Sequence, residues 1–279
     1  MANPKYSVII PVYNRPELIR TAAESVLQQT YRNLELIIID DGSTDCTPEA
    51  VKSFRDPRIK HIRQKNAGPA AARNRGVRIS SGKYIAFLDS DDRWLKDKLR
   101  ETDRAIEENP GYYIYHTQEK WYRLGKILNQ KKKHKKPHGY VFENCLKLCC
   151  ISISTVVVRR SLFEKVGFFD ENLPACEDYD FWLRACAGYT VYLIDKALTE
   201  KEGGHKGRLS ANPGLDKYRA LAIKKLLNSG KLNTGQKNTA FEHLKIKCKI
   251  YSQGCFKRGK VEEGNRYTEL MRGQNEKIK

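Results

Sequence analysis

No apolar run in the 279-residue sequence approaches the ~20 residues that a membrane-spanning helix needs. No signal-peptide pattern opens it either, because charged and strand-forming residues directly follow Met1-Ala2-Asn3-Pro4. The eight cysteines are scattered and form no paired CxxC sets of metal ligands. Since free cysteines are commonly buried, we expect them to pack in cores within a reducing cytoplasm.

Acidic residues are outnumbered, with 33 Asp and Glu against 52 Lys and Arg, and the net charge is +19. The excess is uneven, because residues 201–279 hold 19 basic and 7 acidic residues, a balance of +12. No helix-turn-helix, zinc-finger or RNP pattern accompanies this charge, which argues against a nucleic-acid partner. We therefore expect a phosphorylated substrate and peripheral contact with the anionic inner face of the cell membrane.

The first third of the chain alternates between apolar runs and helix-starting signals. Strands are predicted at Ser7–Tyr13, Leu34–Ile39, Arg58–Arg63 and Tyr84–Leu88. Pro16, the pair Thr47-Pro48 with Thr47 as cap, and Gly68-Pro69 predict the starts of helices between them. Short links between strands and helices favour an α/β fold with a mostly parallel central sheet and helices on both faces.

The pattern is weaker later in the chain. We expect strands within Tyr112–Leu128, in a hairpin if there are two, and at Ile153–Val158 and Val191–Leu198. A helix is predicted at Cys176–Ala187, and a helical extension is predicted from Lys217 with breaks near Gly230 and Gly259.

Three carboxylates follow the fourth predicted strand: Asp89, Asp91 and Asp92. Carboxylates this close repel one another, and a hard divalent cation such as Mn²⁺ or Mg²⁺ would offset that repulsion. The alternative is a solvated acidic turn that precedes a helix near Arg93. Functional loops of such sheets gather at the carboxyl ends of strands, where Tyr13, Asp40, Asp41, Asp89 and Asp91 are all expected.

Five stretches together resemble the family 2 glycosyltransferases with the GT-A fold. They are Ser7–Arg15 (SVIIPVYNR), Asp40–Asp45 (DDGSTD), Asn66–Gly76 (NAGPAAARNRG), Phe87–Asp92 (FLDSDD) and Glu177–Arg184 (EDYDFWLR), and they occur in the family's order. The resemblance implies a catalytic domain over residues 1–205 and leaves 206–279 as a basic helical extension. It also implies inverting transfer of a sugar from a nucleotide-diphosphate sugar, with UDP as the expected nucleotide, to a hydroxyl of a glycan or lipid-linked acceptor.

The resemblance further implies which residues bind the donor: Pro11, Tyr13, Arg15, Asp40, Asp41, Arg73, Asp89 and Ser90. Tyr13 and either Asp40 or Asp41 resemble contacts to the nucleotide base. Asp91 resembles the metal ligand of the family's DXD motif, and His205 resembles a further ligand on a lid. Three simpler roles compete, namely packing of Tyr13 at the strand end, a plain surface role for Arg73 and an ordinary surface histidine at His205.

By the same resemblance, Asp178 is the general base that takes the acceptor proton, and Glu177 is its neighbour that orients acceptor or base. Asp180 lies off the matched position. The alternative is that all three acidic residues only stabilise a helix start.

Two other classes of function compete with transfer. One is a GT-A-like module that binds nucleotide or membrane without turnover. The other is a nucleotidyltransferase, but the glycine-rich basic phosphate loop of that class is absent, and Pro11-Val12-Tyr13-Asn14-Arg15 stands in its place.

Overall fold

The computed structural model describes residues 3–204 and 213–273. These residues form two compact units. The first unit holds residues 3–141, 150–171 and 189–204, and the second holds residues 142–149, 172–188 and 213–273. The catalytic-domain boundary at residue 205 stays a prediction.

The first unit is built on one nine-stranded sheet with the order β3-β2-β1-β4-β8-β6-β9-β5, and β7 pairs with β6 off this path. The strands are β1 (Tyr6–Val12), β2 (Leu34–Asp40), β3 (Ile59–Arg63), β4 (Tyr84–Phe87), β5 (Asp92–Trp94), β6 (Ile114–Arg123), β7 (Lys126–Leu128), β8 (Val156–Arg159) and β9 (Val191–Gly203).

Strands β1 to β4 pair in parallel, as their helical connections require. Val12 lies opposite Asp40, and Ile9 lies opposite Phe87, so three strands end along one edge. The later strands are mixed: β8 is antiparallel to β4 and β6, β5 is antiparallel to β9, and β6 is parallel to β9. The predicted hairpin is also present, because β7 folds back antiparallel on β6.

Ten α-helices lie within the described ranges. They are α1 (Pro16–Leu27), α2 (Thr47–Lys52), α3 (Gly68–Ile79), α4 (Lys98–Glu108), α5 (Phe142–Lys147), α6 (Ser161–Val166), α7 (Glu177–Cys186), α8 (Asp216–Leu227), α9 (Thr234–Phe256) and α10 (Val261–Gly273). Two single 3₁₀ turns lie at Lys132–His134 and Ile153–Thr155. None of the helices in the described ranges has both the length and the apolar character that crossing a membrane requires.

Helices cover both faces of the sheet, as predicted. On one face, Ile10 shares a buried apolar cluster with Ala22 of α1. On the other face, α3 approaches the sheet closely at Gly76, where a Cβ would lie 2.5 Å from Cγ2 of Ile9. This spacing explains why a glycine stands at that point of the helix, since any side chain would clash with the strand.

The second unit consists of helices α5 and α7 to α10. The longest, α9, starts with a reciprocal capping box, in which Asn233 Oδ1 accepts from the Gln236 backbone N–H and Gln236 Oε1 accepts from the Asn233 N–H. Gly230 and Gly259 adopt positive φ angles between helices, at the two predicted breaks. The predicted helical extension is therefore present.

Two details differ from the interpretation of the sequence. The alternative of an acidic turn before a helix near Arg93 is wrong, because Asp92, the last of the three carboxylates, begins β5 (Asp92–Trp94), which pairs with β9, and α4 begins only at Lys98. The predicted strand from Ile153 begins with a 3₁₀ turn and becomes extended only at Val156.

Candidate functional site

Two loops at the carboxyl edge of the first unit's sheet are tied together by Asn14. This residue follows β1 and adopts a φ of 51°, a conformation in which asparagine is enriched. Its backbone N–H donates to Ser43 Oγ at 3.0 Å, and its Oδ1 accepts from the Thr44 N–H at 2.8 Å. The loop after β1 is therefore fixed against the loop after β2, which positions the residues on either side of Asn14.

Tyr13 lies at the end of β1, and 45% of it is exposed. Pro11, two residues earlier, lies opposite Ile39 in the parallel register. The exposed ring is accessible to a flat ligand, whereas a residue that served only core packing would be buried.

Asp40 is fully buried where β2 ends. Its Oδ1 accepts from the Ser43 N–H at 2.8 Å, and its Oδ2 lies 3.5 Å from Arg63 Nε. The carboxylate therefore holds the turn after β2, and its contact with a base stays a prediction.

Asp41 organises the approach to α3. Its Oδ1 accepts from Gln64 Nε2 at 2.7 Å and from the Ala67 N–H at 3.0 Å, and its Oδ2 accepts from the Gly68 N–H at 2.8 Å. Both oxygens thus bind donors at the start of a helix, where a negative charge is stabilised by the helix dipole. This structural role was not predicted from the sequence, and the nucleotide role of Asp41 remains a prediction.

The three carboxylates after β4 converge. Asp89, Asp91 and Asp92 each offer one oxygen, and these oxygens lie within 4.8 Å of one another. Asp92 is buried, while Asp89 and Asp91 are half-buried. Hard divalent cations take oxygen ligands in this kind of arrangement, so the donor set fits Mn²⁺ or Mg²⁺. His205, the other predicted ligand, lies outside the described residues.

Two arginines from the predicted donor-binding set contact this cluster. The guanidinium of Arg73, on α3, lies 2.8 Å from Asp89 Oδ1, and its side chain is buried. Arg15, just after β1, lies 3.3 Å from Asp91 Oδ1 and also donates to Ser90 Oγ at 3.3 Å. The burial of Arg73 and its ion pair contradict the alternative of a plain surface arginine.

Lys201 of β9 and Ser154 complete the surroundings of Asp92. Lys201 Nζ lies 3.4 Å from Asp92 Oδ2, and the Ser154 hydroxyl donates to the same oxygen at 2.6 Å. Ser154 Oγ also accepts from the Asp89 N–H at 3.1 Å. Sequence reasoning missed both residues, although Thr199 and Lys201 share one face of an extended β9 and could have been read as inward-facing.

The surroundings separate the proton affinities of two of these carboxylates. Burial by itself would raise the pKa of Asp89, but the charges of Arg73, Lys201 and Arg15 outweigh it and hold that pKa below its ordinary value. Burial raises the pKa of Asp92 to about 7, and the negative charges of Asp89 and Asp91 add to this although Lys201 opposes it. Asp89 is therefore an anion at neutral pH, which suits a ligand of cations.

Lys98, the first residue of α4, contacts the 3₁₀ turn that contains Ser154. It is wholly buried, and its Nζ donates to the Thr155 carbonyl oxygen at 2.7 Å and lies 5.1 Å from the centre of the Trp94 ring. Burial lowers the pKa of Lys98 to about 7, although Glu119 opposes the shift. The contact fixes the 3₁₀ turn that contains Ser154.

The second unit contains the predicted base. Asp178 lies in the first turn of α7, just after Cys176, which adopts a left-handed φ of 64°. Asp178 Oδ1 accepts from the Tyr179 N–H at 2.7 Å, and the Cys149 thiol donates to Oδ2 at 3.4 Å. The first contact is what a helix-start role requires, so the geometry keeps that alternative open beside the catalytic one.

The neighbouring acidic residues differ from Asp178 in exposure. Glu177 is 6% exposed, and Asp180 is 1% exposed. Asp180 is held by Arg184, whose Nε lies 2.9 Å from its Oδ2, and by Lys225, whose Nζ lies 2.5 Å from its Oδ1. Its ion pairs make Asp180 a structural residue, whereas Asp178 is half-buried and reaches the surface.

Known proteins resemble this chain in sequence. The sequence pattern of "Glycosyl transferase family 2" matches residues 7–167. An uncharacterized glycosyltransferase of Rickettsia felis is 41% identical over 197 residues, which are 70% of this chain and 32% of that protein. This chain thus spans about a third of the length of that Rickettsia relative. The UDP-Glc:alpha-D-GlcNAc-diphosphoundecaprenol beta-1,3-glucosyltransferase WfaP of Escherichia coli is 36% identical over 219 residues, 74% of this chain and 80% of WfaP.

Solved structures share the fold at low identity. The crystal structure of S. aureus TarS 1-349 in complex with UDP-GlcNAc has a TM-score of 0.76 at 22% identity, covering 95% of this chain and 79% of that one. The mannosyltransferase PcManGT from Pyrobaculum calidifontis, in complex with GDP-Man and Mn²⁺, has a TM-score of 0.61 at 18% identity, covering 98% and 87%. These likenesses confirm the predicted GT-A type of fold. Because the family pattern covers more than half of its residues, the chain belongs to glycosyl transferase family 2.

Proposed function

We propose that this chain is an inverting glycosyltransferase that moves a sugar from a UDP-sugar to a hydroxyl of a lipid-linked glycan. The observation that carries the proposal is the convergence of Asp89, Asp91 and Asp92 with Arg15 and Arg73 at one sheet edge. Carboxylates that ligate a cation and arginines that bind phosphate oxygens are the two needs of a nucleotide-diphosphate site. The names of relatives such as WfaP support a UDP-sugar donor and a lipid-linked acceptor.

We assign the donor site to residues of the first unit. Tyr13 offers an exposed ring to the base, while Pro11, Asp40 and Asp41 shape the loops beside it. Arg15 and Arg73 are positioned to neutralise diphosphate oxygens. Asp89 and Ser90 complete the set that we assign to the donor.

Asp91, with Asp89 beside it, would hold Mn²⁺ or Mg²⁺, and His205 is proposed as a further ligand. When bound, the ion supplies Lewis-acid stabilisation of the charge that develops on the leaving diphosphate. The arginines act on the same charge from the protein side, since a planar guanidinium group matches the geometry of phosphate oxygens.

Inversion requires a base that removes the acceptor proton during attack. We assign this role to Asp178, whose Oδ2 is oriented by the Cys149 thiol, and we assign Glu177 to acceptor positioning. The acceptor oxygen forms the new bond to the anomeric carbon, the bond to the diphosphate breaks, and the proton goes to the Asp178 carboxylate.

The metal assignment is tested by calorimetry of UDP binding. Asp91→Asn should abolish the dependence of UDP affinity on Mn²⁺, whereas Asp195→Asn, an exposed carboxylate change in β9, should leave it intact. Equal UDP affinity in Mn²⁺ and in a chelator for the wild type would refute a metal-dependent donor site.

The base assignment is tested on transfer, after a screen of nucleotide sugars has identified the donor. Asp178→Asn should lower transfer by ~10²–10⁴ while donor affinity is kept. If Asp178 only supports the start of α7, the same change instead lowers stability by ~0.3–1 kcal/mol and hardly affects transfer.

The rival function, a binding module without turnover, predicts UDP binding with no sugar released or transferred under any condition of the donor screen. We also propose that the chain works at the surface of a membrane, in the synthesis of cell-surface polysaccharide or glycolipid. The lipid-linked acceptors named for relatives and the +12 balance of residues 201–279 support this proposal.

A further inference from the structure

Four large apolar side chains of the second unit are exposed near the junction of α9 and α10. Ile246, Ile250 and Phe256 lie on the C-terminal half of α9 and are 48%, 50% and 43% exposed, and Val261 begins α10 and is 56% exposed. Ile246 and Ile250 are four residues apart, so they are neighbours on one helix face. Single exposed apolar residues are ordinary, but several on one short segment mark a contact surface.

Basic residues surround these side chains. The sequence from His243 to Val261 contains six Lys and Arg and no Asp or Glu. Of the six, Lys249, Lys257, Arg258 and Lys260 are exposed. We call the four apolar and four basic exposed residues together the basic-apolar face.

The two remaining lysines of the segment are used within the unit. Lys247 is 7% exposed, and its Nζ donates to the Lys147 carbonyl oxygen at 3.0 Å and lies 3.5 Å from Asp216 Oδ1. Lys245 pairs with Glu242 at 2.7 Å. The fold therefore directs inward one lysine that it needs for packing and leaves the basic-apolar face cationic.

We propose that the basic-apolar face docks on an anionic lipid surface, with the apolar side chains entering the headgroup region and the cations on lipid phosphates. This deepens the proposed function, on which it rests for the presence of a membrane-bound acceptor. Charge complementarity favours an anionic lipid surface, because a helix that lies at a membrane interface combines apolar anchors with Lys and Arg in this way.

Other occupants fit less well. A nucleic acid would use the cations but would leave the two isoleucines in water, since they neither stack on bases nor bind phosphate. A second copy of the chain would bring one cationic face against another, which like-charge repulsion opposes.

The test is co-sedimentation of the full chain with vesicles of phosphatidylglycerol and phosphatidylcholine, and with vesicles of phosphatidylcholine alone. Ile246→Ser/Ile250→Ser should weaken binding to the anionic vesicles roughly tenfold, because two half-exposed side chains lose apolar burial. Lys249→Gln/Lys257→Gln should weaken it by about fivefold for each cation removed and reduce its sensitivity to salt. All seven positions, including those of the controls below, are exposed, so melting temperatures should match that of the wild type.

Matched controls lie in the first unit and elsewhere in the second. Leu124→Ser/Ile127→Ser removes two side chains that are 76% and 66% exposed at the β6–β7 turn, and Lys231→Gln removes an exposed cation outside the face. The controls should bind as the wild type does.

Wild-type binding that is equal for neutral and anionic vesicles, or variants of the face that bind like the controls, would overturn the proposal. Loss of single-stranded RNA binding in the lysine variant, with vesicle binding unchanged, would assign the face to nucleic acid instead. The vesicles contain no sugar nucleotide and no acceptor. If vesicle binding is not observed, the proposed transfer reaction is therefore not contradicted. If transfer is not observed, the vesicle result is not affected.

Discussion

The titration of Lys98 measures how strongly burial near the carboxylates disfavours a charged side chain. Its folded pKa of about 7 lies well below its ordinary value of 10.5 because the side chain is buried. The folded protein thus releases this proton at a pH where the unfolded chain still binds it. The resulting stability is fully present above pH 10.5, and it is lost as the pH falls towards about 7.

The size of the effect follows from linkage. Between the two pKa values the free energy of unfolding should rise by about 1.4 kcal/mol per pH unit from this residue alone. From about pH 7.5 to about pH 9.5 the rise should reach about 2.5 kcal/mol. Lys98→Met fills a similar volume without the ionisable group, so this part of the pH dependence should vanish.

The assay is urea unfolding of the full chain at several pH values in that range. Cys176 also contributes to the pH dependence there, because its thiol ionises near pH 9 in the unfolded chain while burial raises its pKa to about 12 in the folded protein. The quantity of interest is therefore the difference between variant and wild type. The lost hydrogen bond to the Thr155 carbonyl costs ~1–3 kcal/mol at every pH and does not affect the slope. Lys96→Met, an exposed control, should follow the wild type.

Parallel curves for Lys98→Met and the wild type would refute the reasoning. They would mean that Lys98 stays protonated in the folded protein. The Trp94 ring and the Thr155 carbonyl would then stabilise the ammonium group enough to offset its burial.

Three further outcomes are expected. Lys201→Met should lower the free energy of unfolding by about 3 kcal/mol because it leaves the buried Asp92 unpaired, and Lys201→Met/Asp92→Asn should recover part of that loss in urea unfolding. Gly76→Ala should cost about 1–3 kcal/mol through its clash with Ile9, and a double-mutant cycle with Ile9→Ala should show a smaller combined loss than the sum. Mn²⁺ should bind weakly alone and more tightly with UDP present, as calorimetry with and without UDP would measure; equal affinity in both would contradict this.

The parallel half of the sheet was predictable because its signals are local. Strands of apolar residues and a proline in the first turn of a helix identify β1, α1 and β2 without knowledge of distant contacts.

The prediction that Thr47 is a helix cap was wrong. Its hydroxyl accepts from the Arg15 backbone N–H at 2.8 Å and so serves the neighbouring loop, and the cap of α2 is Cys46. A cap signal and a loop-bridging contact use the same residue types.

The missed residues depend on pairing between distant segments. Lys201 approaches Asp92 because β5 and β9 pair with these two residues in register, and no local pattern predicted that Asp92 and the two residues after it would form a strand. Ser154 reaches the same carboxylate from a 3₁₀ turn within a stretch that reads as a plain β-branched strand. The carboxylates could be identified from residue type alone, whereas Lys201 and Ser154 could be identified only from the way distant segments pair in the fold.

The cations around the three carboxylates reduce the repulsion that was expected from the sequence. Close carboxylates were expected to need a divalent cation to offset their repulsion, but each already has a cation of the chain beside it: Arg73, Arg15 and Lys201 lie within 3.4 Å of one carboxylate apiece. The cluster with these three cations is nearly neutral. Adding a divalent ion alone would leave excess positive charge, and adding it together with a diphosphate would restore the balance. The electrostatics therefore favour a site in which the ion and the nucleotide bind together.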